Sequence, residues 1–131
     1  MILGAPLPAA GMRLRCTGLA GSADALALAE LATSGRQLVV LSASAADAQR
    51  LVQELPYFAP ALRVFLLPDW ETLPYDQISP HQDLVSDRLA TLYQLTQRAF
   101  DLVVVPVTTA LYRLTPAQYL AARTFFLKQG E

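Results

Sequence analysis

The runs LVVL at residues 38–41 and LVVV at residues 102–105 decide the fold of this chain. Each is a short, uninterrupted apolar segment, which is typical of a strand buried on both faces of a parallel sheet. Gly35 stands before the first run and closes a helix predicted from Ser22 to Ser34. A helix followed by a buried strand is the alternation that builds a parallel sheet with helices packed against it.

The other elements are placed by turn and capping signals around these two runs. Ser44 with Asp47 is an acidic variant of the capping box, and Pro56 is expected to stop that helix. Ser79 and Pro80 supply an N-cap and a proline at the first helical position. The sequence predicts further strands at residues 13–17 and 62–67, and helices at residues 44–55, 79–98 and 116–123, with a short helical turn at 111–113 capped by Thr108 or Thr109.

Strands and helices therefore alternate along the chain. This order predicts an α/β fold, with a doubly wound, mostly parallel sheet and helices on both faces. At 131 residues and 53% hydrophobic content, the chain is long and apolar enough for one domain with a real core.

Composition excludes several classes of function. The net charge of −1 gives no general attraction to nucleic acid or to an anionic membrane, so independent DNA binding is not expected. Cys16 is the only cysteine, which rules out an internal disulfide and fits a reducing compartment. Residues 1–11 do not resemble a signal peptide, and no apolar stretch has membrane-spanning length. We therefore expect a soluble, cytoplasmic protein.

The octet GLAGSADA at residues 18–25 lies between a predicted strand and a predicted helix, where a phosphate-binding loop would stand. A working loop has the pattern G-x-x-x-x-G-K-[ST], in which lysine neutralises phosphate charge and the hydroxyl holds magnesium. The last three positions here are Ala23, Asp24 and Ala25. A carboxylate about 4 Å from a phosphate charge costs roughly 1–4 kcal/mol, so the loop is not expected to bind ATP.

The same residues also describe an ordinary helix start. Ser22 is a good N-cap, and Asp24 suits the positive end of a helix. From the octet alone both interpretations stay open, and neither supplies a cofactor-binding residue. We call the following residues the degenerate loop: Gly18, Gly21, Ser22, Ala23, Asp24 and Ala25.

The chain offers little for catalysis. His81 is the only histidine, and in the first turn of a helix it is a more natural cap or solvated group than a base. One histidine and one cysteine do not make a zinc site, and no nucleophile elbow surrounds any serine. No catalytic residue and no metal ligand is predicted.

The segment of residues 68–80 is the most distinctive in the chain. It holds the only tryptophan and three prolines, and it leaves a strand at the edge of the sheet where α/β proteins usually bind ligands. Its excess of acids repels phosphates. Two interpretations stay open: a loop packed through its aromatic residues, or a contact surface for another domain or protein. The candidate contact residues are Trp70, Glu71, Tyr75 and Asp76.

The stretch LPDWETLPYDQISPHQDLVSDRLATLYQL at residues 67–95 resembles the bacterial transcription-repair coupling factors, and DLVVVPVTTALYRLTP at residues 101–116 continues the resemblance. It extends over residues 14–128. The resemblance implies the first lobe of a region similar to the excision-repair protein UvrB, without UvrB's nucleotide site and DNA-clamping hairpin. It divides the chain into an N-terminal extension (1–12), the lobe (13–123) and the start of a following lobe (124–131).

The resemblance also implies a function. Full-length members of the family displace stalled RNA polymerase with an ATP-driven DNA translocase and recruit UvrA, chiefly through the following lobe. ATP and magnesium are therefore expected only in a downstream motor, and this chain is expected to be a non-catalytic scaffold for its adjacent lobes. The alternative is a nucleotide-binding domain of a helicase-type NTPase, which would need the lysine that the degenerate loop lacks.

Overall fold

The structure is a computed structural model that describes residue 4, residues 6–70 and residues 81–123. The described elements alternate between helix and strand, as the sequence predicts. In chain order they are α1 (Ala23–Thr33), β1 (Leu38–Ser42), α2 (Ala45–Phe58), β2 (Val64–Leu66), α3 (Gln82–Thr96), β3 (Leu102–Pro106), α4 (Val107–Ala110) and α5 (Ala117–Arg123).

The three strands form a parallel sheet in the order β1-β3-β2. Leu102 of the central strand is in register with Leu38 of β1 and with Val64 of β2. All five residues of β3 are buried, which is the environment that its continuous apolar sequence predicts. The α/β class and the parallel sheet are confirmed.

Helices cover both faces of this sheet. On one face, Leu102 and Val104 pack in a cluster with buried residues of α1 and α2. On the other face, Val103 and Val105 pack with Leu92 of α3 and with the final helix. Because successive side chains of a strand point to opposite faces, the single run at residues 102–105 supplies both cores.

The predicted strand at residues 13–17 is wrong. These residues are exposed and irregular, and the described sheet has three strands, not four. Arg13 and Arg15 alternate with Leu14 and Cys16, so only one side of a strand here would gain from burial. The free energy gained by burying one side is too small to offset the conformational entropy lost on ordering the backbone, because no neighbouring strand pairs with this segment.

Helix α2 begins as predicted but ends later. The Ser44 hydroxyl accepts a hydrogen bond from the Asp47 amide at 3.1 Å, which confirms the cap. Pro56 lies inside the last turn instead of stopping the helix, and the Ala59 amide still donates to the Leu55 carbonyl at 2.9 Å. Proline removes one N–H, and this close to the end of a helix the loss interrupts little of the hydrogen-bond ladder.

Helix α3 begins at Gln82, later than predicted, and ends at Thr96. His81 is its N-cap, since its Nδ1 accepts from the Asp83 amide at 3.3 Å. The predicted Ser79 cap and Pro80 lie outside the described residues, as does the predicted start of a following lobe at residues 124–131. Within the described ranges, no helix is long and apolar enough to cross a membrane.

An ion pair joins the residues that directly precede β2 and β3. A guanidinium nitrogen of Arg63 lies 2.8 Å from Oδ1 of Asp101, and the backbone amide of Arg63 donates to Oδ2 at 2.8 Å. These hydrogen bonds stabilise the charged carboxylate and lower the pKa of Asp101 to about 2. The pair fixes the residues that lead into the central strand.

We expect this ion pair to make the free energy of unfolding depend on pH in the acid range. Because the pKa of Asp101 is lower in the folded state, its contribution is present above about pH 4 and is lost as the pH falls through about 2. Urea unfolding at pH 6 should therefore show Asp101→Asn as less stable than the unchanged chain, with the difference vanishing near pH 2. A difference that stayed constant over this range would contradict the assignment.

Candidate functional site

The degenerate loop lies beside the carboxyl end of β1, since Leu19 and Asp24 line the same cavity as Ser42 and Ala43. Among the described residues no strand precedes it, so it does not stand between a strand and a helix as predicted. Gly18 and Gly21 both have positive φ angles, 76° and 59°, which favour glycine. A Cβ added at either glycine would meet nothing within 4 Å, so the backbone conformation, not space, requires them. Ser22 is the N-cap residue of α1, as predicted, but its side chain makes no capping hydrogen bond.

Asp24, at the position of the missing lysine, binds an arginine of the next helix. The Arg50 guanidinium donates to both carboxylate oxygens of Asp24, at 2.6 and 3.1 Å. The same guanidinium reaches Asp47 at 3.3 Å and Glu54 at 2.8 Å within α2. Two N–H groups of one planar guanidinium held by one carboxylate is the strongest geometry for such a pair. The sequence pointed to Asp24 as a helix-start acid but not to this partner.

The electrostatics of this cluster oppose a phosphate. The hydrogen bond from Arg50 lowers the pKa of Asp24, so this carboxylate is charged at neutral pH. The Asp24 carboxylate in turn raises the pKa of Arg50. One positive charge is therefore shared among three carboxylates, and its hydrogen-bond donors are taken by protein groups. A triphosphate arriving here would meet net negative charge.

A cavity of about 330 Å³ lies between the degenerate loop and β1. Leu28, Leu31, Val40 and Leu51 give it an apolar wall, and the carboxylates of Asp24 and Asp47 stand at its polar side. Among the described residues, no arginine, lysine or histidine lines it. The space is thus unsuited to an anion, and its chemistry is that of an incompletely filled apolar groove.

A second group of polar residues lies where β2 and β3 end. The Asp69 carboxylate accepts hydrogen bonds from the hydroxyls of Thr108, at 2.8 Å, and Thr109, at 3.0 Å. Both threonines belong to α4, which begins directly after β3, so the prediction that one of them caps a later turn is wrong. Their hydroxyls instead fix Asp69, in the segment that follows β2, across 39 and 40 positions of sequence.

Arg88 of α3 contacts the residues on either side of Asp69. Its guanidinium donates to the carbonyl of Pro68 and lies over the ring of Trp70, 4.2 Å from the ring centroid. The neighbouring Thr91 hydroxyl donates to the Leu66 carbonyl at 3.0 Å. Burial lowers the pKa of Arg88, and the charge of Asp69 opposes that shift. Residues 66–70 are therefore bound to α3 and α4 along their whole length.

The structure places Trp70 but not the rest of the predicted contact surface. Glu71, Tyr75 and Asp76 lie outside the described residues, so their role as a surface stays a prediction. Trp70 is partly buried against Arg88, which favours the interpretation that it packs within the fold. In the described part of the chain, no three acidic, histidine or cysteine side chains are grouped to hold a metal ion.

Sequence reasoning missed Arg50 and Arg88. In α3 the apolar Leu89 is 40% exposed, while the charged Arg88 is 4% exposed. Apolar periodicity does not detect a buried arginine whose partners lie elsewhere in the chain. The one related signal was Trp70, since tryptophan is the most favourable ring for a cation–π contact with arginine.

Comparison with known proteins gives a consistent set of relatives. The chain is 42% identical over 114 residues to the transcription-repair-coupling factor of Escherichia coli strain K12, and 38% identical over 113 residues to that of Haemophilus influenzae. The matches cover 86% and 83% of this chain. The coupling factor of Myxococcus xanthus is 36% identical over 125 residues, or 87% of the chain. No family model matches the sequence.

These matches span about 10% of the length of each relative. All three relatives carry the same name. The chain therefore belongs to the transcription-repair-coupling factor family and corresponds to about one tenth of a member's length.

Proposed function

We propose that this chain is a non-catalytic scaffold lobe of a transcription-repair coupling factor. The observation that carries the proposal is the cluster around Arg50, in which a carboxylate at the lysine position of the degenerate loop is bound to the protein's own cation. A lobe that keeps the fold but turns this position into an internal ion pair gains cohesion between α1 and α2 in place of nucleotide binding. Its residues pack against one another and position the adjacent lobes, and they take no part in a chemical reaction.

The partners follow from this role. The adjacent lobes of the same protein are its direct partners, and UvrA and RNA polymerase are reached through the full-length protein in the cytoplasm. ATP and magnesium belong to a downstream motor. The balanced net charge supports this division, because a lobe that bound DNA on its own would be expected to carry an excess of basic residues.

A titration with magnesium and ATP tests the proposal against the helicase-type NTPase alternative. We expect no saturable heat up to millimolar ATP in isothermal titration calorimetry, because three carboxylates face the place that the phosphates would occupy. The matched variant Gly21→Ala strains the loop at a positive φ angle and should change nothing.

Saturable micromolar binding that Gly21→Ala abolishes would overturn the proposal in favour of a nucleotide-binding domain. Binding that Gly21→Ala leaves intact would place a nucleotide elsewhere on the chain and would equally contradict a lobe without nucleotide chemistry. Circular dichroism of the variant establishes that its fold is retained before either result is interpreted.

A further inference from the structure

Strand β1 lies at an edge of the described sheet, and its outer side is apolar. Among the described strands it pairs with β3 alone. The Leu38 amide donates to the Asp101 carbonyl on the β3 side. Because successive N–H groups of a strand point to opposite sides, the amides of Val39 and Leu41 point away from β3. Their side chains are 66% and 62% exposed. An apolar edge without lysine or proline favours pairing with another strand.

Both sheet faces of this edge are apolar. Val39 is in register with Val103, so its side chain lies on the face that α3 covers. Val40 lies on the opposite face, where it lines the 330 Å³ cavity together with Leu28 and Leu31 of α1. A strand placed beside β1 would therefore meet apolar surface on both of its faces. Such a strand needs a continuous apolar sequence, as β3 has.

The crossovers of the sheet determine where a further strand belongs. From β1 to β2 the chain passes through α2 on one face, and from β2 to β3 it returns through α3 on the other. Connections between parallel strands are right-handed, so a helix on the α3 face carries the chain in the direction from β2 towards β1. Leu120 of α5 packs on this face with Val103 and Val105. Because β1 already occupies the place beside β3, the next strand belongs beyond β1.

The described residues and the sequence place this strand outside the 131 residues. Residues 13–17 are exposed and irregular. Outside the described helices and strands, no stretch has four consecutive residues of the types Val, Ile, Leu, Met and Phe. From the end of α5 at Arg123, the place beyond β1 is about 10 Å to the side and about 10 Å down from the helix layer. That diagonal takes about four extended residues, which leaves only the polar sequence KQGE at residues 128–131.

We propose that the free edge of β1 pairs in parallel with an apolar strand from a later part of a coupling factor's own chain. The matches cover about 10% of each relative, so members of the family have ample further chain to supply it. The strand receives hydrogen bonds from the outward amides of Val39 and Leu41. This proposal rests on membership of the family and not on the absence of nucleotide binding, so the ATP titration and the test below fail independently.

The test compares amide hydrogen exchange in the 131-residue chain and in the purified, monomeric full-length coupling factor that contains it. Mass spectrometry with electron-transfer fragmentation resolves the single amides. In the 131-residue chain we expect Val39 and Leu41 to exchange about 100-fold faster than Val40, whose amide faces β3. In the full-length protein we expect the two outward amides to slow by about 100-fold, because they enter a ladder of hydrogen bonds.

Val39→Lys in the full-length protein should return the Leu41 amide to fast exchange, because a lysine on an edge strand opposes pairing. Tyr57→Lys, at a position of α2 that is 84% exposed, is the matched control and should leave the Leu41 amide slow. Circular dichroism of both variants in the 131-residue chain establishes that the fold is retained.

Three results would overturn the proposal. Equal exchange of Val39 and Leu41 in the two proteins would show that no later strand pairs here. Slow exchange already in the 131-residue chain would assign the edge to this chain's own residues or, if it required high concentration, to a second copy. Slow exchange of Leu41 retained in full-length Val39→Lys would show that the edge is covered without strand pairing.

Discussion

Replacing Arg88 by alanine should lower the free energy of unfolding by about 2–4 kcal/mol. The substitution removes a charged hydrogen bond to the Pro68 carbonyl, typically about 1.5–3 kcal/mol, and a stack on Trp70, typically about 0.5–2 kcal/mol. The two contributions are not independent, and replacing Arg88 also removes the cost of burying its charge. The net loss in the free energy of unfolding is therefore below the sum of the two contributions. Urea unfolding followed by circular dichroism measures it.

Two further variants separate packing from charge. Arg88→Met keeps an unbranched side chain near Trp70 but leaves the Pro68 carbonyl without this donor, so we expect roughly half of the loss. Arg15→Ala changes an exposed arginine and should stay within about 0.5 kcal/mol of the unchanged chain. If Arg88→Ala lowered the free energy of unfolding as little as Arg15→Ala, the contacts of Arg88 with residues 66–70 would contribute nothing to stability.

The strands at residues 38–42 and 102–106 were predictable because the signal for each lies within its own residues. A continuous apolar run has few alternatives in a chain of this composition, and the observed register joins the two predicted runs residue by residue. The segment at residues 13–17 was not predictable in the same way. Whether a short alternating segment becomes a strand depends on a neighbour to pair with, and that neighbour is not part of the local sequence.

The polar contacts of the candidate sites were not predictable for a related reason. Asp24 and Arg50 are 26 positions apart, and Arg88 and Pro68 are 20 positions apart. Each pair forms only after helices have packed on the sheet, so no capping rule or periodicity contains it. Gly18 and Gly21 do have positive φ angles, a backbone property that belongs to single positions and that glycine allows.

The fully buried side chains of helix α1 are all alanines, and its Leu28 packs, partly buried, against the same core cluster. Its buried residues are Ala25, Ala27, Ala29 and Ala32. Small side chains let the helix approach closely, so the volume on this side is supplied by larger residues of α2, above all Leu51 and Leu55. The position of the degenerate loop, carried at the start of α1, therefore depends on leucines of the neighbouring helix.

Leu55→Ala should accordingly be the most damaging single truncation on this face, with a loss of about 3–5 kcal/mol in the free energy of unfolding. Leu55 is fully buried in the cluster with Leu102 and Val104, and the alanines of α1 have no side-chain length with which to fill the space. That is a large share of the 5–15 kcal/mol typical of a whole domain. Leu111→Ala, at a position 83% exposed, is the matched control and should change stability by less than about 0.5 kcal/mol. A loss below about 2 kcal/mol for Leu55→Ala would mean that α1 collapses onto the vacated space, and the Asp24 contact with Arg50 would then have to shift with it.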